Sequence, residues 1–95
     1  MIYFEWSSQK SASNKKKHGI SFEEAQTVFR DPNARLIDDP DHSQTEDRFL
    51  LLGFSEGLRL LVVCHCYREN DLMVRIISAR KATKREAQKY EENLS

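Results

Sequence analysis

The sequence is poor in most of the features that would assign it to an unusual class. It has three glycines and two prolines in 95 residues, which excludes collagen-like and low-complexity chains. It has two cysteines, Cys64 and Cys66, too few for a disulfide scaffold. At i and i+2 of a strand they would lie about 6.5–7 Å apart, a span that strains a disulfide. Cys64-His65-Cys66 also lacks the C-x2-C spacing and the second ligand pair of a zinc site. We read the two as small buried thiols in a reducing compartment. Neither sign of charge is in excess: 15 Lys and Arg stand against 15 Asp and Glu, a formal net charge of +0. The simplest argument for nucleic-acid binding is therefore absent. Long apolar runs are missing too. The longest, Phe49 to Leu52 and Leu60 to Cys64, fall far short of the ~20 residues of a membrane helix. The opening Met1-Ile2-Tyr3-Phe4-Glu5-Trp6 is too short for a signal-peptide core and meets a charge at Glu5. A cytoplasmic protein with no membrane contact is expected.

What is present is a folded chain. Leu, Ile, Val and Phe are plentiful after residue 48, and the length suits one domain over 1–95. Ile2 to Trp6 reads as a strand. Ser7 or Ser8 opens a polar helix through Lys17, and His18-Gly19 closes it. Ser21-Phe22-Glu23-Glu24 is a capping box, with Phe22, Ala25, Val28 and Phe29 as the apolar stripe that follows. Asp31-Pro32-Asn33 ends that helix. Ala34 to Asp38, Arg48 to Phe54, Leu58 to Arg68 and Leu72 to Arg80 are strand candidates, the last three joined by the short links Ser55-Glu56-Gly57 and Glu69-Asn70-Asp71. Thr83-Lys84-Arg85-Glu86 is a second capping box, opening a helix to about Glu92. The class is α+β: a small antiparallel sheet with two N-terminal helices and one C-terminal helix, in the order β-α-α-β-β-β-β-α.

Charge balances in sum but not along the chain. Residues 10–17 carry +4, residues 31–47 carry −5 and residues 72–90 carry +5. Salt screens the distant acids over about 8–10 Å, so a cationic patch can still attract phosphate locally. Arg75 and Arg80 lie on or at the end of an otherwise apolar strand, which a solvated helix face does not explain. The strand before it is apolar on both faces early and polar late, with His65, Tyr67 and Arg68 at its far end. That is the pattern of a central strand whose end opens into a polar site. A tight link would set His65 near Arg75 and leave Arg80 further away, unless a bulge shifts the register.

Taken together, Phe4-Glu5-Trp6, Asn14, Lys17-His18-Gly19-Ile20-Ser21-Phe22-Glu23-Glu24-Ala25, Arg48, Gly53, His65, Tyr67-Arg68, Arg75-Ile76-Ile77-Ser78-Ala79-Arg80-Lys81-Ala82, Glu86 and Tyr90 closely resemble the BrnT toxins. The resemblance spans nearly the whole chain, in order and at matching spacing. Ser7-Ser8-Gln9 stands where the family usually carries an acidic residue, which affects only the first helix cap. The resemblance implies a RelE-like ribonuclease toxin of a type II toxin–antitoxin pair that cleaves RNA, inhibits translation and arrests growth. It implies a BrnA-type antitoxin with a DNA-binding domain. Toxin and antitoxin together would repress their operon, so that operator DNA is met only through the antitoxin.

Metal-independent RNA cleavage needs a base for the 2′-hydroxyl, an acid for the 5′-oxygen and cations for the charge developing on phosphate. No cofactor or metal is expected. His65 is the first candidate for acid or base, the alternative being a hydrogen-bonded core histidine. Arg68, Arg75 and Arg80 are candidates for a phosphate clamp, or else ion pairs with carboxylates. Ser78 is a candidate donor to phosphate and Tyr67 a stacking platform for a base. Lys17, His18, Arg48, Lys81 and Lys84 complete the expected substrate-binding set, although His18 also suits a helix cap. Trp6 is read as core. Asp41-His42 is too weak a pair to mark a metal, and the acidic 31–47 segment reads as a solvated loop or as a shield for the basic site. The alternative to an enzyme is a non-catalytic RNA- or protein-binding module.

Overall fold

The computed structural model describes residues 2–38 and 48–94. Among them run five strands and three helices: β1 (Tyr3–Glu5), α1 (Ser8–His18), α2 (Phe22–Thr27) with a 3-10 turn at Val28–Arg30, β2 (Arg35–Ile37), β3 (Phe49–Phe54), β4 (Leu60–Arg68), β5 (Met73–Lys81) and α3 (Lys84–Leu94). The sheet order is β1-β5-β4-β3-β2. β2 to β5 pair antiparallel, as the short β3–β4 and β4–β5 links require of those two pairs, and β1 joins the edge of β5 in parallel.

The helix ends are set by local chemistry. Ser7 caps α1 by accepting from Lys10 N, and Gly19, at φ 73°, closes it in the left-handed conformation with its N–H on Lys15 O. Ser21 caps α2 by accepting from Glu24 N at 3.0 Å. The expected return contact from Glu24 is replaced: its carboxylate takes Ser55 Oγ at 2.7 Å and Arg59 Nε at 2.9 Å. These bonds, Arg59 first, hold the Glu24 carboxyl below its usual range. The second box closes in both directions, Glu86 N to Thr83 Oγ1 at 3.1 Å and Thr83 N to Glu86 Oε1 at 2.9 Å.

Apolar side chains divide between two faces. On the front, Ile20, Phe22, Ala25 and Val28 from the α2 region bury Leu61, Val63, Val74, Ile76 and Ala79, with Trp6 packed at the margin as expected. On the back, Tyr90 of α3 packs with Leu50, Leu52, Val62 and Cys64. Asp31 belongs to this framework and not to a solvated loop. Its carboxylate accepts from Tyr90 Oη at 2.6 Å, Phe54 N at 2.8 Å and Asn33 N at 2.9 Å. Burial pushes Asp31 up, but these three donors outweigh it and hold the carboxyl low. Gly53 lets β3 pass under this turn, since a Cβ there would meet Ala34 Cβ at 2.8 Å. The remainder of the acidic segment, 39–47 with Asp41 and His42, lies outside the described residues.

Candidate functional site: the open half of the sheet's back face

The register of β4 against β5 runs regularly from Leu61↔Lys81 to Cys64↔Ser78, then jumps to His65↔Ile76. Ile77 is the extra residue of a β-bulge. The bulge reverses the alternation of β5. Val74, Ile76 and Ala79 all join the front core, while Ile77 joins the back. Arg75 and Arg80, five positions apart, would lie on opposite faces of a regular strand. Here both lie on the back, with Ser78 between them opposite Cys64.

α3 covers only part of that face. It leaves β5 at the Lys81 end, and Tyr90 packs on Phe54 while Asn93 Nδ2 donates to Asn33 O. The helix thus leans over β3 and β2 and leaves the back of β1 and β5 open. In this open half, Arg75 Nη1 donates to Glu5 Oε2 at 3.1 Å, and Arg68 Nε lies 3.7 Å from the same oxygen. Arg80 makes a two-pronged bond to Glu86, at 2.8 and 2.9 Å. That fork, with Thr83 adding to it, outweighs burial and pulls the Glu86 carboxyl down to about 2. Arg68, Arg75 and Arg80 keep 58%, 30% and 38% of their side-chain surface exposed even so.

His65 is not a neighbour of Arg75 on this surface. The bulge sets it opposite Ile76, and its ring points to the front, edge-on to Phe29 and against Phe49 and Tyr67. The residue is fully buried. Nδ1–H donates to Val63 O at 3.0 Å, so Nε2 is the acceptor for Tyr67 Oη at 3.3 Å. Burial pushes the imidazole pKa down, with the Val63 bond working against it. The ring is a neutral, satisfied group whose polar route outward is Tyr67. The Tyr67 phenol is itself pushed up by burial and by Asp71.

The other expected residues fall around these two places. Lys17 and His18 lie on α1, where they line a groove beside Ile77 and Ser78. Lys81 ends β5, Lys84 begins α3, and Arg48 precedes β3. All three are exposed, and none is drawn into the arginine cluster. Cys64 faces the back core, and Cys66 sits opposite Arg75. The structure adds Glu5 to this candidate cluster, a residue the sequence reading does not single out for it. Its signal was a carboxylate at the only charged position of the Ile2–Trp6 strand.

The five-stranded sheet with its flanking helices is a fold shared with a solved ribonuclease toxin. The crystal structure of the Brucella abortus ribonuclease toxin BrnT superposes with a TM-score of 0.67 at 21% identity, covering 88% of this chain and 100% of that one. Among curated proteins none matches. The family described as the ribonuclease toxin, BrnT, of type II toxin–antitoxin systems matches residues 6–86, and the chain belongs to that family.

Proposed function

We propose that the chain is a metal-independent endoribonuclease that binds the reacting phosphate on the open half of the back face. The observation that carries this reading is the bulge at Ile77, which gathers Arg75, Ser78 and Arg80 on the face that also holds Arg68 and Glu5. In this reading the arginine forks take the phosphate oxygens and offset charge as it builds on them, with Ser78 as a further donor. Glu5 is the carboxylate beside them and takes the 2′-hydroxyl proton. The 2′-oxygen bonds to phosphorus, the bond to the 5′-oxygen breaks, and that oxygen takes a proton from solvent. The products are a 2′,3′-cyclic phosphate and a 5′-hydroxyl. His65 and Tyr67 lie on the front of the sheet, against Phe29 and Phe49, and take no step in this reading.

At the level of the cell, this is a RelE-like toxin of the cytoplasm that inhibits translation and arrests growth. Its partner is a BrnA-type antitoxin, a DNA-binding protein that neutralises it and with which it represses its operon. The support is the family, whose systems pair a toxin with an antitoxin. Among the described residues, no helix is long and apolar enough to cross a membrane. The test is expression alone and with the antitoxin, together with RNA incubation of purified protein in excess chelator. Growth should stall without the antitoxin, and fragments should appear in chelator. Arg75→Ala and Arg80→Ala should relieve both effects. Binding of RNA without cleavage, with and without ribosomes, would instead mark a non-catalytic binding module. The pairing of Arg75 with Glu5 and of Arg80 with Glu86 is the observation that favours that second reading.

A further inference from the structure

α1 is an unusual helix for a small domain. Its sequence, Ser8 to His18, buries one residue, and that residue is Asn14. Helices normally hold to a sheet through an apolar stripe. Here the Asn14 amide does that work, donating to Ala79 O and Ile20 O at 2.9 Å each and accepting from Ala79 N at 3.1 Å. The amide matches the backbone of β5 where β1 has ended, as a neighbouring strand would. On either side of Asn14, Lys10, Ser13, Lys17 and His18 follow at helical spacing on one face. With Ile77 and Ser78 they line a groove of about 290 Å³.

The cations of this groove differ from those of the open face. Arg68 and Arg75 each meet Glu5, and Arg80 meets Glu86. Among the described residues no carboxylate pairs with Lys10, Lys17 or His18, and none lines the groove. The bonds that tie α1 to its neighbours come from the neutral groups Asn14 and Ser11, not from these side chains. The groove also adjoins the candidate site. Ser78 is exposed at the bulge, lines the groove and lies two residues from Arg80 on the same strand.

We infer that this groove is a second phosphate subsite, which takes the single-stranded RNA backbone as it leaves the reacting phosphate and turns round the edge of β5. The inference rests on the function proposed above. Lys10 and Lys17 bind as point charges, and the Ser13 hydroxyl donates to a phosphate oxygen, while Ser78 marks where the groove meets the reacting phosphate. The protein then reads a strand several nucleotides long, and length adds to affinity through charge.

The test is binding of a twelve-nucleotide RNA and of a dinucleotide across a salt series, for the wild type, the Lys10→Gln/Lys17→Gln double variant and the Lys10→Arg/Lys17→Arg double variant. The Gln variant should bind the long RNA roughly tenfold more weakly at low salt. Its slope of log affinity against log salt should be shallower by about 0.7 for each phosphate no longer neutralised. The Arg variant should restore both values, and the dinucleotide should separate the three proteins far less. An unchanged slope and affinity for the long RNA, in a protein that does cut RNA, would overturn the subsite and leave the proposed function standing. Wild-type protein that neither cuts nor binds RNA would overturn both.

Discussion

The front of the sheet holds a buried polar ring, His65, with both nitrogens occupied. The open back half presents Glu5, Arg68, Arg75 and Arg80 to solvent across β1, β4 and β5. One sheet therefore handles its polar groups in two ways. On the front they are satisfied internally, and a change there is felt as stability. On the back they are paired but stay part-exposed, and under the proposed function a change there is felt as activity. The two faces are separable because α2 seals one of them, whereas α3 leans away from β5 and leaves part of the other uncovered.

The sharpest attempt to break this contrast is Phe22→Ala on the front, where the ring is fully buried. It should cost about 3–5 kcal/mol, a large share of the ~5–15 kcal/mol available to a small domain, as read by urea unfolding. Arg75→Ala should behave in the opposite way. Its stability should change by about 1 kcal/mol or less, since the pair with Glu5 is part-exposed. RNA cleavage should fall by about 100-fold. Equal losses of stability in the two variants would erase the distinction. Asn14→Leu should fall between them. It leaves the Ala79 N–H and C=O without their partner and should cost about 1–3 kcal/mol, measured by thermal melting.

The smallest effect is a division by pH. His65 is held neutral, with its pKa below the ordinary 6.5, so the unfolded chain takes up its proton first. The front face should start to lose stability as pH falls below about 6.5. Glu86 is held down at about 2 from an ordinary 4.5. The stability it contributes is complete above 4.5 and is lost as pH falls towards 2. A His65→Phe variant should lack the first decline, and Glu86→Gln should make the second shallower without removing it, since Glu24 and Asp31 are also held low, in melting temperatures taken from pH 8 to pH 2. If either variant lost both declines together, the faces would not be independent.

Much of the fold was legible because it is written in local chemistry. The order of elements followed from two capping boxes, Gly19, Asp31-Pro32-Asn33 and two short links. The boxes also show where such legibility stops. Both read Ser or Thr followed three residues later by Glu, yet Glu86 closes its box whereas Glu24 turns to Arg59 and Ser55 on the β3–β4 link. A motif fixes the N-cap bond, and tertiary neighbours decide where the other carboxylate goes. The candidate site was legible in composition but not in placement. His65, Arg68, Arg75, Ser78 and Arg80 could be singled out by type, but the bulge at Ile77 divides them, and no residue in Arg75 to Arg80 announces it. An extra residue in a strand is set by pairing with a neighbouring strand, as between Cys64 and Ser78, and not by the local sequence. Asn14 was legible only as part of a resemblance, because a buried amide in a polar helix has no periodic signature.

That amide has one more consequence. Beyond Glu5 the edge of β5 has no further β1 partner, and edge amides normally trade their hydrogens with water quickly. The Ala79 N–H is held by Asn14 Oδ1, so its exchange requires α1 to lift away from the sheet. In deuterated water this single amide becomes a clock for the docking of α1, readable by NMR, and it should slow further when a ligand pins the helix.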